Sequence, residues 1–219
     1  MRLADLLRRL LNETPIERLR LSSVEPMDWS DDLLGLVASS ARIAKHVHAP
    51  LQSGSDGVLR RMHRKYRPRH YEDRILKARA WMPDAAIGAD VMTGFPGEID
   101  AEFEETRSFI AGLPLTYLHV FTYSERPGTP AAASRQVPME VRRDRNRVLR
   151  ELAAAKNLEF RRRMLGRTLS VVTLSDSALS NNFLKVELAT RRGANRLIDV
   201  KIGSLTPAGL REHNPLAIL

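Results

Sequence analysis

The alternation of short strand-forming runs with helical patterns restricts this chain more than any other feature. The runs are Leu19-Arg20-Leu21, His46-Val47-His48-Ala49, Ala86 to Met92 and Tyr117-Leu118-His119-Val120-Phe121. Helical periodicity fills the spaces between them. Leu3 to Leu11 reads as a helix before the first run, and Ser30-Asp31-Asp32 can cap a helix over Leu33 to Ala38. Tyr71 to Met82 sets Ile75, Leu76 and Trp81 on a buried face, and Ala101 to Leu113 carries Phe103, Phe109 and Ile110 behind helix-starting acids. Such alternation predicts βα units around a parallel sheet, an α/β fold. Four strands are few for a closed barrel, so an open one is expected, with an unprotected edge at the first run.

The segments just after the runs narrow the possibilities further. They are Ser22-Ser23-Val24-Glu25-Pro26, Gln52-Ser53-Gly54-Ser55-Asp56, Thr93-Gly94-Phe95-Pro96-Gly97-Glu98 and Thr122-Tyr123-Ser124-Glu125-Arg126-Pro127-Gly128-Thr129. Any one of them alone reads more readily as a plain turn. Four in series place polar groups and glycines at the carboxyl ends of parallel strands, where α/β folds bind ligands.

The pattern changes after Pro130. Met139 to Leu165 reads as one long basic helix with Val148, Leu152 and Ala155 on its inner face. Beyond Gly166, alternating runs at Leu169–Val172, Phe183–Leu188 and Leu197–Ile202 predict a small antiparallel barrel, an architecture that often binds RNA. Three segments are therefore expected: 1–134 as the βα unit, 135–165 as a basic linking helix and 166–219 as the small barrel.

Charge and composition bound the function. The 219 residues carry 35 Lys and Arg against 26 Asp and Glu, a net charge of +9. The excess is clustered. Val58 to His70 holds Arg60, Arg61, Arg64, Lys65, Arg67 and Arg69 with no acid, and Arg142, Arg143, Arg145 and Arg147 crowd the start of the long helix. Two such clusters favour a nucleic-acid partner, because each phosphate contact releases counterions. There is no cysteine, which excludes a disulfide framework, thiolate metal or iron–sulfur ligation and a thiol nucleophile within these residues. The six histidines are scattered, and only His46 and His48 are close in sequence, so a compact histidine metal site is not expected. No apolar run reaches the ~20 residues of a membrane span, and no signal peptide is visible, so a cytoplasmic protein is the default.

The motifs carry a resemblance. Arg18 to Pro26, His48-Ala49-Pro50-Leu51-Gln52-Ser53-Gly54-Ser55-Asp56, Gly94-Phe95-Pro96-Gly97-Glu98 and Tyr123 to Pro130 resemble the radical SAM methylthiotransferases, in that family's order and spacing. The C-terminal stretch is similar to its TRAM domain. Ala49 and Ile99 depart mildly from the usual pattern. Leu21 to Pro26 and Tyr117 to Phe121 most resemble the branch acting on threonylcarbamoyladenosine 37 of tRNA; the isopentenyladenosine and ribosomal-protein branches are less similar.

The resemblance implies S-adenosylmethionine and two 4Fe-4S clusters, held in the family by cysteines N-terminal to everything present here. It thus implies the C-terminal half of such an enzyme, with tRNA and a missing N-terminal half as partners, no cluster ligated by this chain and no membrane. By position, Gln52 and Ser53 match the contacts to the ribose and methionine portions of the cofactor. Met92, Thr93 and Gly94 match the adenine-lining segment, Phe121 and Tyr123 would complete the adenine wall, and Glu25 would engage the ammonium. Arg126 would hold a carboxylate or phosphate. Arg60, Arg61, Arg64, Lys65, Arg142, Arg143, Arg145 and Arg147 are the expected RNA contacts. No nucleophile–base pair is expected, since the chemistry resides in the cofactors. Two other readings are a stand-alone RNA-binding module and an unrelated βα enzyme gripping a phosphate at Gly94 to Glu98.

Overall fold

In a computed structural model the described residues are 2–214. Three parallel strands form the first sheet in the order β1 (His46–His48), β2 (Ala86–Thr93) and β3 (Tyr117–Thr122). Val47 pairs with Ile87, and Asp90 with His119. Helices α1 (Leu3–Glu13), α2 (Asp31–Ser39), α3 (Asp56–Arg61), α4 (Pro68–Trp81) and α5 (Asp100–Gly112) occupy the stretches between the runs. Local chemistry starts two of them. The Ser30 side chain accepts a hydrogen bond from the Leu33 amide at 3.2 Å, and Pro68 stands at the first position of α4, where its missing N–H costs nothing.

The first expected strand is not one. Leu19 and Ser23 make single parallel bridges to Ile43 and His48, but the run between them has no continuous ladder. The Leu21 carbonyl is taken instead by His46 Nδ1 at 3.0 Å, so a side chain occupies a ladder acceptor. Arg18 and Arg20 reach across to the small barrel, donating to Ser170 Oγ at 2.9 Å and to the Ser180 carbonyl at 2.7 Å. The face of α4 also differs from expectation. Tyr71, Ile75 and Ala78 are buried, whereas Leu76 and Trp81 are exposed, with the Lys77 ammonium 5.8 Å from the Trp81 ring centroid.

Helix α6 (Met139–Arg162) is 24 residues long, about 36 Å, and joins two cores. Leu149 packs into the first, with Trp29, Leu34, Ile87 and Ile110, while Phe160 enters the second, with Met164, Val171 and Val186. Its inward stripe is Arg142, Arg145, Leu149, Ala153 and Phe160, with the expected Ala155 exposed. Asn146 and Asn157 donate to the Val120 and Thr116 carbonyls, so the helix also covers backbone of β3.

The second unit is a closed barrel of β4 (Thr168–Thr173), β5 (Ser177–Ser180), β6 (Lys185–Glu187), β8 (Leu210–Glu212) and β7 (Leu197–Leu205), in that order. It is mixed and not purely antiparallel, because β6 pairs with β8 in parallel. The expected run at Phe183–Leu188 shortens at both ends. Phe183 itself sits at φ +64°, in a turn that removes it from the ladder. Among the described residues no helix is long and apolar enough to cross a membrane.

Candidate functional site

Alternate residues of a strand share a face, so His46 and His48, Asp90 and Met92, and Tyr117, His119 and Phe121 line one side of the sheet. Two cavities open on that side. The larger, about 820 Å³, lies at the carboxyl ends of the strands and is lined by Gln52, Met92, Phe95, Phe121, Tyr123 and Arg126, among others. The smaller, about 440 Å³, lies deeper along the same face, and Phe121 borders both. The left-handed backbone marks them. Of the four non-glycine residues at positive φ among the described residues, Gln52 (+63°) and His63 (+54°) line the larger cavity and Phe183 (+64°) the smaller. Each such conformation costs of order 1 kcal/mol, which concentrates strain where ligands would bind.

The expected cofactor residues divide by burial. Gln52, Met92, Phe121 and Tyr123 meet in the rim cavity. The Tyr123 ring stands edge-on to Phe95 at 5.4 Å, and its buried hydroxyl has no hydrogen-bond partner. Ser53 is drawn away: fully buried, it bonds Thr106 Oγ1 at 2.9 Å and accepts from the Ser55 amide at 3.1 Å. Thr93 is likewise buried, with its hydroxyl directed at the carbonyls of Phe121 and Arg142. Gly94 adopts φ +73°, and a Cβ there would meet Arg142 Cγ at 2.4 Å, so its close approach is to an arginine stem. Glu25 pairs with Arg64 at 3.2 Å.

The basic residues separate in the same way. Arg142 and Arg145, expected as RNA contacts, are buried and spend their guanidinium groups on partners within the chain. Arg142 donates to the Val137 carbonyl at 2.6 Å and the Tyr123 carbonyl at 3.1 Å. Arg145 binds Glu98 at 2.7 Å and Asp100 at 2.7 Å. Burial pushes the Glu98 carboxyl up, opposed by the Gly94 amide and by Arg145. Arg61 and Arg64 line the rim cavity while pairing with Glu102 and Glu25. Arg60 and Arg147 are exposed but paired with Asp56 and Glu151. Lys65, Arg126 and Arg143 are exposed and make no ion pair among the described residues.

The smaller cavity holds a polar cluster that residue order alone did not assemble. His46 Nδ1 faces the Leu21 carbonyl, and the Tyr117 hydroxyl lies 2.7 Å from His46 Nε2 and 2.8 Å from His48 Nδ1. His48 Nε2 and His119 Nδ1 each lie 3.1 Å from Asp90 Oδ1. Burial, aided by the Arg20 charge, lowers His46 to about 4, and burial raises the Tyr117 phenol above its usual value. Gly88 makes the arrangement possible. A Cβ there would fall 1.9 Å from Tyr117 Cζ, so only glycine lets the ring cross β2. From the small barrel, Phe183 caps the cluster, 4.5 Å from the His46 ring. The signal was present as His-x-His, Gly-x-Asp and Tyr-x-His on neighbouring runs, but reading it requires the strand register.

A family model described as the radical SAM superfamily matches residues 1–110, half of the chain. The chain belongs to that superfamily. Among curated proteins it is 39% identical over 187 residues to the threonylcarbamoyladenosine tRNA methylthiotransferase MtaB of Rickettsia prowazekii, covering 84% of this chain and 44% of that one. It is 35% identical over 195 residues to the tRNA-2-methylthio-N(6)-dimethylallyladenosine synthase of Saccharopolyspora erythraea, covering 89% and 38%. A protein of the latter name from Thermus thermophilus is 38% identical over 177 residues, covering 80% and 37%. The chain thus spans less than half the length of these relatives.

Membership in the radical SAM superfamily implies S-adenosylmethionine and an iron–sulfur cluster. The cluster does not fit these residues, since the chain has no cysteine. The nucleoside cofactor does fit the rim cavity. Three aromatic rings and Met92 offer apolar walls, Gln52 offers an amide, and the unpartnered Tyr123 hydroxyl offers a hydrogen bond.

Proposed function

We propose that this chain is the C-terminal portion of a radical SAM tRNA methylthiotransferase acting at C2 of N6-threonylcarbamoyladenosine 37. One observation carries the reading: an aromatic cavity at the strand ends joins an unpartnered buried phenol to an exposed, unpaired Arg126. When bound, S-adenosylmethionine supplies the radical and methyl chemistry, with the cluster thiolates contributed from outside these 219 residues. In this reading the chain's own residues bind and orient. Gln52 and Tyr123 hold polar groups of the cofactor, while Met92 and Phe121 flank its adenine. Arg126 faces the substrate. The threonylcarbamoyl group ends in a carboxylate, which suits a guanidinium, whereas an isopentenyl group offers nothing to a cation. The small barrel, TRAM-like in this reading, and the unpaired Lys65 and Arg143 would follow the tRNA backbone.

Anticodon stem-loops bearing threonylcarbamoyladenosine, isopentenyladenosine or adenosine at position 37 test this by fluorescence anisotropy at several salt concentrations. The expected order places the threonylcarbamoyl form tightest, with that preference lost in Arg126→Gln. Lys65→Gln with Arg143→Gln is expected to weaken all three RNAs alike and to reduce the salt slope by about 2. Equal affinity for the three RNAs in the wild type would remove the substrate assignment, and an unchanged slope would remove the backbone contacts.

A further inference from the structure

The polar cluster beneath the rim brings two ring nitrogens to one carboxylate oxygen: His48 Nε2 and His119 Nδ1 each lie 3.1 Å from Asp90 Oδ1. The outer nitrogen of His48, Nδ1, is held 2.8 Å from the Tyr117 hydroxyl, which also lies 2.7 Å from His46 Nε2, and His46 Nδ1 is anchored 3.0 Å from the Leu21 carbonyl. An imidazole whose outer nitrogen is fixed by a polar partner while its inner nitrogen points at a carboxylate is how metal-binding histidines are oriented.

We propose that His48, Asp90 and His119 form a binding site for one divalent transition-metal ion, of the two-histidine, one-carboxylate kind that accepts Zn²⁺, Fe²⁺ or Co²⁺. Their ligand atoms all lie within 4.8 Å of one another. Tetrahedral ligands about 2.05 Å from a metal stand about 3.3 Å apart, close to the 3.1 Å between each histidine nitrogen and Asp90 Oδ1. Burial grades across the set, from buried His48 through half-buried Asp90 to exposed His119, so the ion has an entry path on the His119 side. Three protein ligands leave a coordination position open to the 440 Å³ cavity, which shares Phe121 with the rim cavity. Tyr117 is a positioning residue, since its hydroxyl meets the outer nitrogen of His48 and so orients that ring.

Equilibrium dialysis of the 219-residue chain against Zn²⁺ alone, with Co²⁺ absorption as a spectroscopic readout, tests the site without tRNA or S-adenosylmethionine. The wild type is expected to take up one equivalent and to show the visible bands of a low-coordinate nitrogen–oxygen Co²⁺ site. His119→Ala and Asp90→Asn are expected to lose at least about tenfold in affinity. Tyr117→Phe is expected to lose roughly 10–100-fold while retaining one equivalent at saturation. His213→Ala, remote from the cluster, is expected to change nothing. Absence of stoichiometric uptake by the wild type, or uptake unaltered in the surface variant His119→Ala, would overturn the proposal and leave a hydrogen-bonded cluster of His48, His119 and Asp90.

Discussion

Replacing Arg145 by Met tests whether this basic residue belongs to the fold or to a nucleic-acid surface. The Arg145 side chain is 6% exposed, and its Glu98 partner 1%. Removing the guanidinium would leave the carboxylate inside the protein with the Gly94 amide, at 2.8 Å, as its remaining strong donor. Breaking a buried pair from one side costs about 3–5 kcal/mol, which for a chain of this size lowers the melting temperature by about 6–20 °C. The loss has a predictable pH dependence. Glu98 already sits above its usual 4.5 in the folded protein, and without Arg145 it rises further. A carboxyl raised on folding binds its proton more tightly in the folded state, so stability is regained as pH falls through the folded value toward 4.5. Each pH unit in that window returns about 1.4 kcal/mol. Urea unfolding at about pH 8 and about pH 5.5 should show Arg145→Met recovering part of its deficit at the lower pH. Arg145→Met with Glu98→Gln should recover much of it at both. A deficit below about 1 kcal/mol, or one of equal size at the two pH values, would refute the account of a buried, interdependent pair.

Two further substitutions probe the sheet face. Gly88→Ala puts a methyl where the Tyr117 ring lies, so we expect a loss of about 1–3 kcal/mol in urea unfolding together with loss of Tyr117's anchoring of His46 and His48; unchanged stability would show that the ring relocates freely. Gln52→Gly relieves a left-handed side-chain position, so stability is expected to hold or rise by about 1 kcal/mol while S-adenosylmethionine affinity falls in equilibrium dialysis. Retained affinity would detach Gln52 from the cofactor.

Much of this was legible from residue order. Period-two runs against helical spacing, with Ser30 as a helix start, correctly announced parallel βα units, a long basic helix and a small barrel. Polar strand ends located the rim, and Gln52, Met92, Phe121 and Tyr123 do meet there. The misreadings share a cause. Leu19 to Leu21 has strand composition, but its Leu21 carbonyl is claimed by His46. Leu76 and Trp81 have the composition of a buried face, but α4 turns Tyr71, Ile75 and Ala78 inward instead. Each outcome depends on a partner far away in sequence.

Arginine shows the division most clearly. A run of arginines establishes charge and a polyanion-sized excess, because charge is a property of composition. Whether a guanidinium meets phosphate or carboxylate depends on which helix face turns inward, and α6 turns Arg142 and Arg145 in while leaving Arg143 out. The histidines follow the same logic. Scattered along the chain, they signal nothing in common, yet the register that sets Asp90 opposite His119 gathers His48 and His119 against one carboxylate. Local alternation was enough to specify the helices and three of the four strands expected of the first sheet, since those arise from near neighbours. The pairing of strands, and with it the polar cluster, came from long-range contacts whose free energy is gained only when the sheet closes on its helices.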